Sequence, residues 1–492
     1  MTTSYNVPLI IRGKLIEGDE LTFGGRRGGV SFTTPDLSRH VDELTLRAPS
    51  QMADLYTLSL EQIVDYLVEL GQHLNFADNR HLQQAFELSC ATSGLSESIL
   101  RFHYTRTPRL FQREELYNIV ARSVGAEYLE GWVEQPGSLP GVTARTRAFG
   151  ARCVHVIAGN APVVAVLTLI RNALTRSDAI IKAPSNDPLT SIALARTMID
   201  MAPDHPLTKH LSVAYWKGGN EAVERHIYDP RKVEKLIAWG GFDSVRHITR
   251  YLQPGLDLIT LDPKLSGTII GREAFADEPT LASVARRLAL DIGAQNQEAC
   301  VSARVVYVQS GTDEAGLERC AKLAELTFAA LQALPENLST PHKAFDPLLK
   351  EELDGIRMIE DDYKVFGGRS NEGALIVSRD GAPVSFSRIL GCRVGNLVPI
   401  DEIDTTVRSV NAYTQTIGIF PEALKHTLRD RLAYQGAQRL VSLGAAATLQ
   451  HNLDRQDAIE PIRRTVKWVT EETADPVLVE SLAGEARSRN QL

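Results

Sequence analysis

The residue in this 492-residue chain best placed to do covalent chemistry is Cys300. It lies in Asp291 to Arg304, Asp-Ile-Gly-Ala-Gln-Asn-Gln-Glu-Ala-Cys-Val-Ser-Ala-Arg, a polar turn between a helical segment and the apolar run Val305 to Val308. The thiolate is the nucleophilic form of cysteine, so a working one needs hydrogen-bond donors and access for a substrate. Gln295, Asn296 and Gln297 stand just before it. An arbitrary cysteine is more often a small buried hydrophobe, and only its surroundings lift Cys300 above that. The other four, Cys90, Cys153, Cys320 and Cys392, are widely scattered, with no CxxC and no zinc-like Cys/His spacing. That usage fits a reducing cytoplasm without structural disulfides.

Several turns upstream have the residue types that hold a phosphorylated ligand. Short β-branched runs at Cys153 to Ala158, Ala179 to Lys182, Leu211 to Trp216, Val233 to Trp239 and Leu256 to Leu261 read as strands. Helical patterns separate them near Val163 to Leu174, Leu189 to Met201, Asn220 to Tyr228 and Ser244 to Leu252. Five strands alternating with four helices predict an α/β, doubly wound parallel sheet, which binds ligands beyond the carboxyl ends of its strands. The turns there carry Gly159-Asn160-Ala161-Pro162, Lys182-Ala183-Pro184-Ser185-Asn186, Lys217-Gly218-Gly219 and Gly240-Gly241. Glycines let backbone approach a ligand and helix N-termini attract phosphate. The G-x-G-x-x-G fingerprint is missing, so a nucleotide has to be held differently.

Around this sheet, residues 1–140 read as an N-terminal arm with an edge hairpin at Val7 to Ile16, followed by a helical block between Ser59 and Val124 that packs on the cofactor domain. Residues 141–262, which carry the ligand-holding turns, are expected to form a cofactor-binding α/β domain. Residues 263–445 are a second α/β unit carrying the cysteine, with strands expected at Val305 to Val308, Ala374 to Val377, Val394 to Ile400 and Thr416 to Phe420. Residues 446–492 are a tail, in which Ile462, Val466 and Val469 at helical spacing predict a face packed back on the body.

The net charge of −8 argues against a general nucleic-acid binder, which needs a basic surface. The longest apolar stretch, Val163 to Ile170, is far short of the roughly 20 residues of a membrane span, and Met1 to Asn6 is polar, so a soluble cytoplasmic protein is expected.

Taken in order, these pieces resemble the aldehyde dehydrogenase superfamily, and more closely its acyl-CoA reductase branch, the LuxC-like long-chain fatty-acyl reductases of bacterial luminescence operons. Gly159-Asn160-Ala161-Pro162 stands where the superfamily has Pro-Trp-Asn-x-Pro, Lys182-Ala183-Pro184-Ser185 where it has Lys-Pro-Ser-Glu, and Gly240-Gly241 where it has a Gly-Ser turn under the nicotinamide. Asn296-Gln297 to Cys300 to Arg304 parallels the nucleophile segment. Pro8 to Lys14, Pro263-Lys264-Leu265-Ser266, Tyr413 to Gly418 and Pro461 to Val469 are more specific to the reductase branch.

The resemblance implies that Cys300 attacks an acyl thioester, expels CoA and becomes a thioacyl enzyme, which NADPH reduces to a long-chain aldehyde. Asn160 and the Cys300 backbone N–H are the implied oxyanion donors. Lys182, Ser185, Gly218, Gly219, Gly240 and Gly241 are the implied cofactor-binding residues, and no metal site is expected. The acyl donor is expected to be CoA or an acyl-protein, with an acyl-protein synthetase or acyltransferase subunit as a further partner. A homo-oligomer is usual in the superfamily.

Three departures bear on mechanism. The superfamily's water-activating Glu falls at Asp262, a shorter carboxylate followed by Pro263, which suits an acyl intermediate that must survive until hydride arrives. No acid follows Lys182 to grip the cofactor ribose, which favours a 2′-phosphate and hence NADPH. The Glu-x-Phe-Gly-Pro segment corresponds roughly to Cys392 to Asn396, without a glutamate; Cys392 itself and His247 read as structural. An aldehyde dehydrogenase forming an acid, an acyltransferase or thioesterase using the same cysteine, and an inactive acyl-protein-binding subunit are the alternatives.

Overall fold

A computed structural model describes residues 4–24, 30–136, 140–261, 264–447 and 455–481. Asp262 and Pro263 lie outside these residues. Two seven-stranded sheets organise the described chain.

The first sheet runs, edge to edge, Asp257–Leu261, Lys235–Trp239, Arg152–Val156, Asp178–Lys182, Leu211–Ala214, Leu9–Ile11 and Lys14–Ile16. Its first five strands are parallel, and the N-terminal hairpin joins antiparallel through Val213 and Ile10. The helices Val163–Leu174, Thr190–Met201, Glu221–Ile227 and Phe242–Thr249 fall between those strands where the alternation predicts them. Arg152–Val156 is buried at every position, as expected for a strand covered on both faces.

The helical block covers one of those faces. Ser59 opens the helix Leu60–His73 with a capping box: its hydroxyl accepts from Gln62 N–H, and the Gln62 side chain accepts from Ser59 N–H. Ile63, Leu67 and Leu70, each 0% exposed, belong to the same core cluster as Ile170, Ile192 and Met198 of the sheet's helices. Each such aliphatic side chain contributes about 1.5–3 kcal/mol by leaving water.

The second sheet runs Tyr363–Gly367, Ala374–Ser378, Val394–Pro399, Ala303–Val308, Leu265–Ile270, Thr414–Phe420 and Arg439–Ser442, parallel except at its first edge. Four of its strands match the expected ones. Leu265–Ile270, Tyr363–Gly367 and Arg439–Ser442 were not expected. The last is four half-buried residues, too short to print an alternation.

The tail corrects the helical expectation. Over the stretch where the helical stripe was expected, only Pro461–Thr465 is helical, and Lys467–Ala474 is a strand paired antiparallel with Val142–Phe149 in a three-stranded sheet. Ile462 and Val466 are buried at 2% exposure while Val469 is exposed, so the apparent helical stripe ends where the chain straightens.

Candidate active site

Cys300 sits just ahead of Ala303–Val308, at the amino end of a strand of the second sheet. The carboxyl ends of the first sheet face that edge. Lys182, Trp239 and Leu261 from the first sheet and Arg304, Gln415 and Arg439 from the second line one cavity of about 1360 Å³, with Cys300 among them.

The nucleophile turn is strained and heavily braced. Gln295, Asn296 and Gln297 have φ of 55°, 53° and 63°, a left-handed run in which each non-glycine residue costs about 1 kcal/mol or more. Asn296 Oδ1 accepts from Thr340 N–H at 2.8 Å and its Nδ2 donates to Thr340 Oγ1 at 3.2 Å. Gln297 Nε2 donates to the carbonyls of Ala303 (2.8 Å) and Val394 (2.9 Å), and its Oε1 accepts from Val394 N–H at 2.8 Å. These two side chains hold the loop and do not serve the thiol. The Cys300 carbonyl is fixed in turn by Ser266 Oγ at 2.7 Å, and Ser266 Oγ accepts from Thr416 N–H.

The thiol is partly accessible, yet burial in dense surroundings raises its pKa above the usual cysteine value. A hydrogen bond from the Gln415 side chain and the charge of Arg304 act the other way, and Asp457 adds to the rise. Arg304 Nε donates to Leu390 O at 2.7 Å, while its Nη1 is buried without a partner among the described residues.

Asn160 reaches the nucleophile turn: its Nδ2 donates to Glu298 O at 3.1 Å, leaving a second amide hydrogen on the same nitrogen. Gly159, before it, is needed because a Cβ there would meet Asn186 Oδ1 at 2.3 Å; Asn186 Nδ2 donates to Gly159 O and ties the two turns. Lys182 ends its strand with Nζ 5.5 Å from the ring centre of Trp216, and burial lowers its pKa to about 8 against the opposing pull of Glu224.

Ser185, Gly240 and Gly241 line the same cavity as Lys182, Asn160 and Cys300. Gly241 caps the helix Phe242–Thr249, and a Cβ on it would meet nothing within 4 Å. Gly218 and Gly219 do not join this group. They line a neighbouring cavity of about 500 Å³ with Tyr215 and Trp216, the rings on which Lys182 rests. His247 binds Glu224 at 2.6 Å, a carboxylate that also accepts from Tyr251 OH and Gly219 N–H. Cys392 lies beside His342 and does not itself line the main cavity; His342 Nε2 pairs with Glu298 Oε1 at 3.0 Å, and Glu298 does line it.

Two residues the sequence did not single out as site residues are Gln415 and Asp457. Gln415 lay within the Tyr413 to Gly418 motif; nothing near Asp457 signalled its approach to the thiol. Among the described residues, no group of three or more His, Cys, Asp or Glu is placed to hold a metal ion, and no helix is long and apolar enough to cross a membrane.

Two α/β sheets facing each other across a cleft, with a cysteine at the amino edge of the second, define an aldehyde-dehydrogenase-like protein. Solved structures agree on the fold. Lactaldehyde dehydrogenase from Escherichia coli superposes with a TM-score of 0.72 over 96% of this chain and 100% of that one, at 12% identity. The NADP-dependent glyceraldehyde-3-phosphate dehydrogenase of Bacillus halodurans, complexed with NADP, gives 0.71 over 96% and 99%, also at 12% identity.

Within that class the chain belongs to the acyl-CoA reductase (LuxC) family, whose profile matches residues 55–468. It is similar to the long-chain acyl-protein thioester reductase of Vibrio harveyi, 27% identical over 489 residues, covering 95% of this chain and 93% of that protein. The protein of the same description from Photorhabdus laumondii is 29% identical over 442 residues, covering 86% and 85%.

Proposed function

We propose that this protein reduces a long-chain acyl thioester, carried on CoA or on a protein, to the aldehyde with NADPH, through an acyl group held on Cys300. The observation that carries the proposal is the placement of the Cys300 thiol in one cavity with Asn160 and Lys182, contributed by the opposite sheet. The relatives named as long-chain acyl-protein thioester reductases support the substrate class.

The residues divide the work. Cys300 Sγ bonds to the thioester carbon, the carrier's C–S bond breaks, and the carrier departs as a thiolate that takes up a proton. The negative charge on the carbonyl oxygen is met by the remaining amide hydrogen of Asn160 and by the Cys300 backbone N–H. The apolar side chains of Val163, Val164 and Leu167 on the same cavity wall suit a hydrocarbon chain. When the aldehyde forms, the bond from Sγ to carbon breaks and the thiolate is regenerated.

A nicotinamide cofactor fits the opposite wall. Gly241 exposes backbone at a helix N-terminus where a Cβ would project into open space, and Lys182 offers a cation over Trp216 for a 2′-phosphate. Ser185 and Gly240 would complete that wall, with Gly218 and Gly219 in the adjoining cavity. NADPH, when bound, supplies the hydride. A homo-oligomer is part of the same proposal, because Lys467–Ala474 forms an exposed sheet edge able to meet another copy.

The test is NADPH consumption against a series of acyl-CoA lengths, with mass spectrometry for an acyl adduct on Cys300. Cys300→Ala is expected to retain NADPH binding and lose all acyl-CoA-dependent oxidation. An unimpaired variant, or thioester cleavage at equal rates with and without NADPH, overturns the assignment.

A further inference from the structure

Side chains from distant parts of the chain converge on Cys300. Gln415, at the start of Thr414–Phe420, is 4% exposed, and its side chain lies close enough to the Cys300 thiol to act on it as a hydrogen-bond partner that lowers its pKa. Its Nε2 also donates to Asp457 Oδ1. Its Oε1 is buried with no partner among the described residues. Asp457 is presented by a tight hairpin in which Gln456 and Ile459 exchange two backbone hydrogen bonds of 3.0 Å. The two central residues, Asp457 and Ala458, have φ of 53° and 61°. Cys300, Gln415 and Asp457 all line the main cavity.

We propose that Asp457 is a positioning residue for the nucleophile: its carboxylate holds the Gln415 amide with the nitrogen toward Cys300 Sγ, one amide hydrogen serving the carboxylate and the other the sulphur. A carboxylate only accepts, so it selects the NH2 end of the amide. Without it, the buried and unpartnered Oε1 gives the amide reason to turn over, which places an oxygen lone pair against the sulphur. The strained turn at Asp457 and Ala458 is the kind of backbone kept where it aims a side chain.

The donor matters at two points of the reaction, both of which carry charge on sulphur. One is the loss of the thiol proton before attack; the other is the breaking of the Sγ–carbon bond as the aldehyde leaves. Between them the sulphur is a neutral thioester or thioether atom and accepts weakly. The charged groups facing the thiol are Arg304 from Ala303–Val308, Arg439 from Arg439–Ser442 and Asp457 from the hairpin, with Glu298 of the nucleophile turn acting on Arg304. Loss of the Asp457 charge by itself would make the thiol more acidic. Loss of the Gln415 donor would make it less so. The two roles of Asp457 therefore predict opposite signs.

The inference rests on Cys300 as nucleophile, and its test uses neither substrate nor cofactor. Iodoacetamide labelling of Cys300 in the full chain, read by peptide mass spectrometry, is followed against pH. Asp457→Gly keeps the turn, since glycine suits a φ of 53°. Its labelling midpoint is expected to rise by about half a pH unit, slowing labelling below the midpoint roughly threefold. Gln415→Leu should shift it likewise, and the double variant no further than either alone. Asp457→Asn retains an accepting oxygen without the charge and should match the wild type or fall below it. A glycine variant whose midpoint falls or stays, a Gln415→Leu variant that does not move, additive single effects, or an asparagine variant raised as far as glycine would each overturn the proposal. A chain that fails to reduce acyl thioesters leaves this measurement readable, and an absent shift leaves the proposed reaction standing.

Discussion

At the scale of single residues, two side chains on the first sheet's wall carry separable duties. Asn160 is proposed to meet the oxyanion, a group that exists only as the carbonyl is attacked. Asn160→Ala is therefore expected to lower kcat about 10²–10³-fold with little change in KM for the acyl donor. A change confined to KM would assign Asn160 to binding. Lys182 is proposed to meet the cofactor's 2′-phosphate. Lys182→Met should weaken NADPH binding roughly 10- to 100-fold and leave NADH unchanged, the range of one charge-assisted hydrogen bond. Because burial lowers the Lys182 pKa to about 8, the ammonium is lost as pH rises through that region. NADPH affinity should accordingly fall with rising pH above about 8 while NADH affinity stays level, and isothermal titration at several pH values reads the difference. Equal pH profiles for the two cofactors would remove Lys182 from phosphate recognition.

Among the elements, the nucleophile turn shows how a costly backbone is stabilised by its own side chains. Gln297 is 2% exposed and makes three hydrogen bonds, all to main-chain groups of the strands beginning at Ala303 and Val394. Gln297→Ala would strand a buried N–H and two carbonyls while leaving the left-handed φ in place. The expected destabilisation is about 2–4 kcal/mol, read as a lowered denaturant midpoint at unchanged slope. A loss below about 0.5 kcal/mol would mean water satisfies those groups. The glutamine just before the cysteine segment was visible in the sequence, but its duty was not. Donors close to a thiol in sequence are not thereby aimed at it, and here the residue that does reach the sulphur, Gln415, comes from a separate strand.

Across the whole molecule, what was legible follows from how directly packing prints itself on residue order. The five parallel strands of the first sheet are buried on both faces and interrupted by helices, so Arg152–Val156 and its neighbours appear as apolar runs at regular spacing. The doubly wound sheet followed from that alternation, and the aldehyde-dehydrogenase-like fold from the family resemblance carried by the ordered turns at Asn160, Lys182 and Gly240. Arg439–Ser442 and Lys467–Ala474 are partly exposed and carry no such run. In the tail, Ile462 and Val466 belong to a short helix and its end, and Val469 continued their spacing by coincidence on a strand. Removing the chain from Lys467 onward would leave Val142–Phe149 without its long partner. Such a truncation is expected to lose at least 5 °C in thermal midpoint and to aggregate, as checked by calorimetry and size-exclusion chromatography. An unchanged midpoint would show that the pairing contributes nothing.

That same pairing sets an order of assembly during synthesis. Lys467 sits opposite Phe149, so roughly 320 residues must be made between one strand and its partner. At about 5–20 residues per second, Val142–Phe149 waits on the order of 16–64 s after leaving the ribosome. The hairpin bearing Asp457 is made only shortly before Lys467. Both sheets can therefore form around the thiol before the group proposed to govern its reactivity arrives, leaving the nascent protein with a quieter sulphur than the finished one.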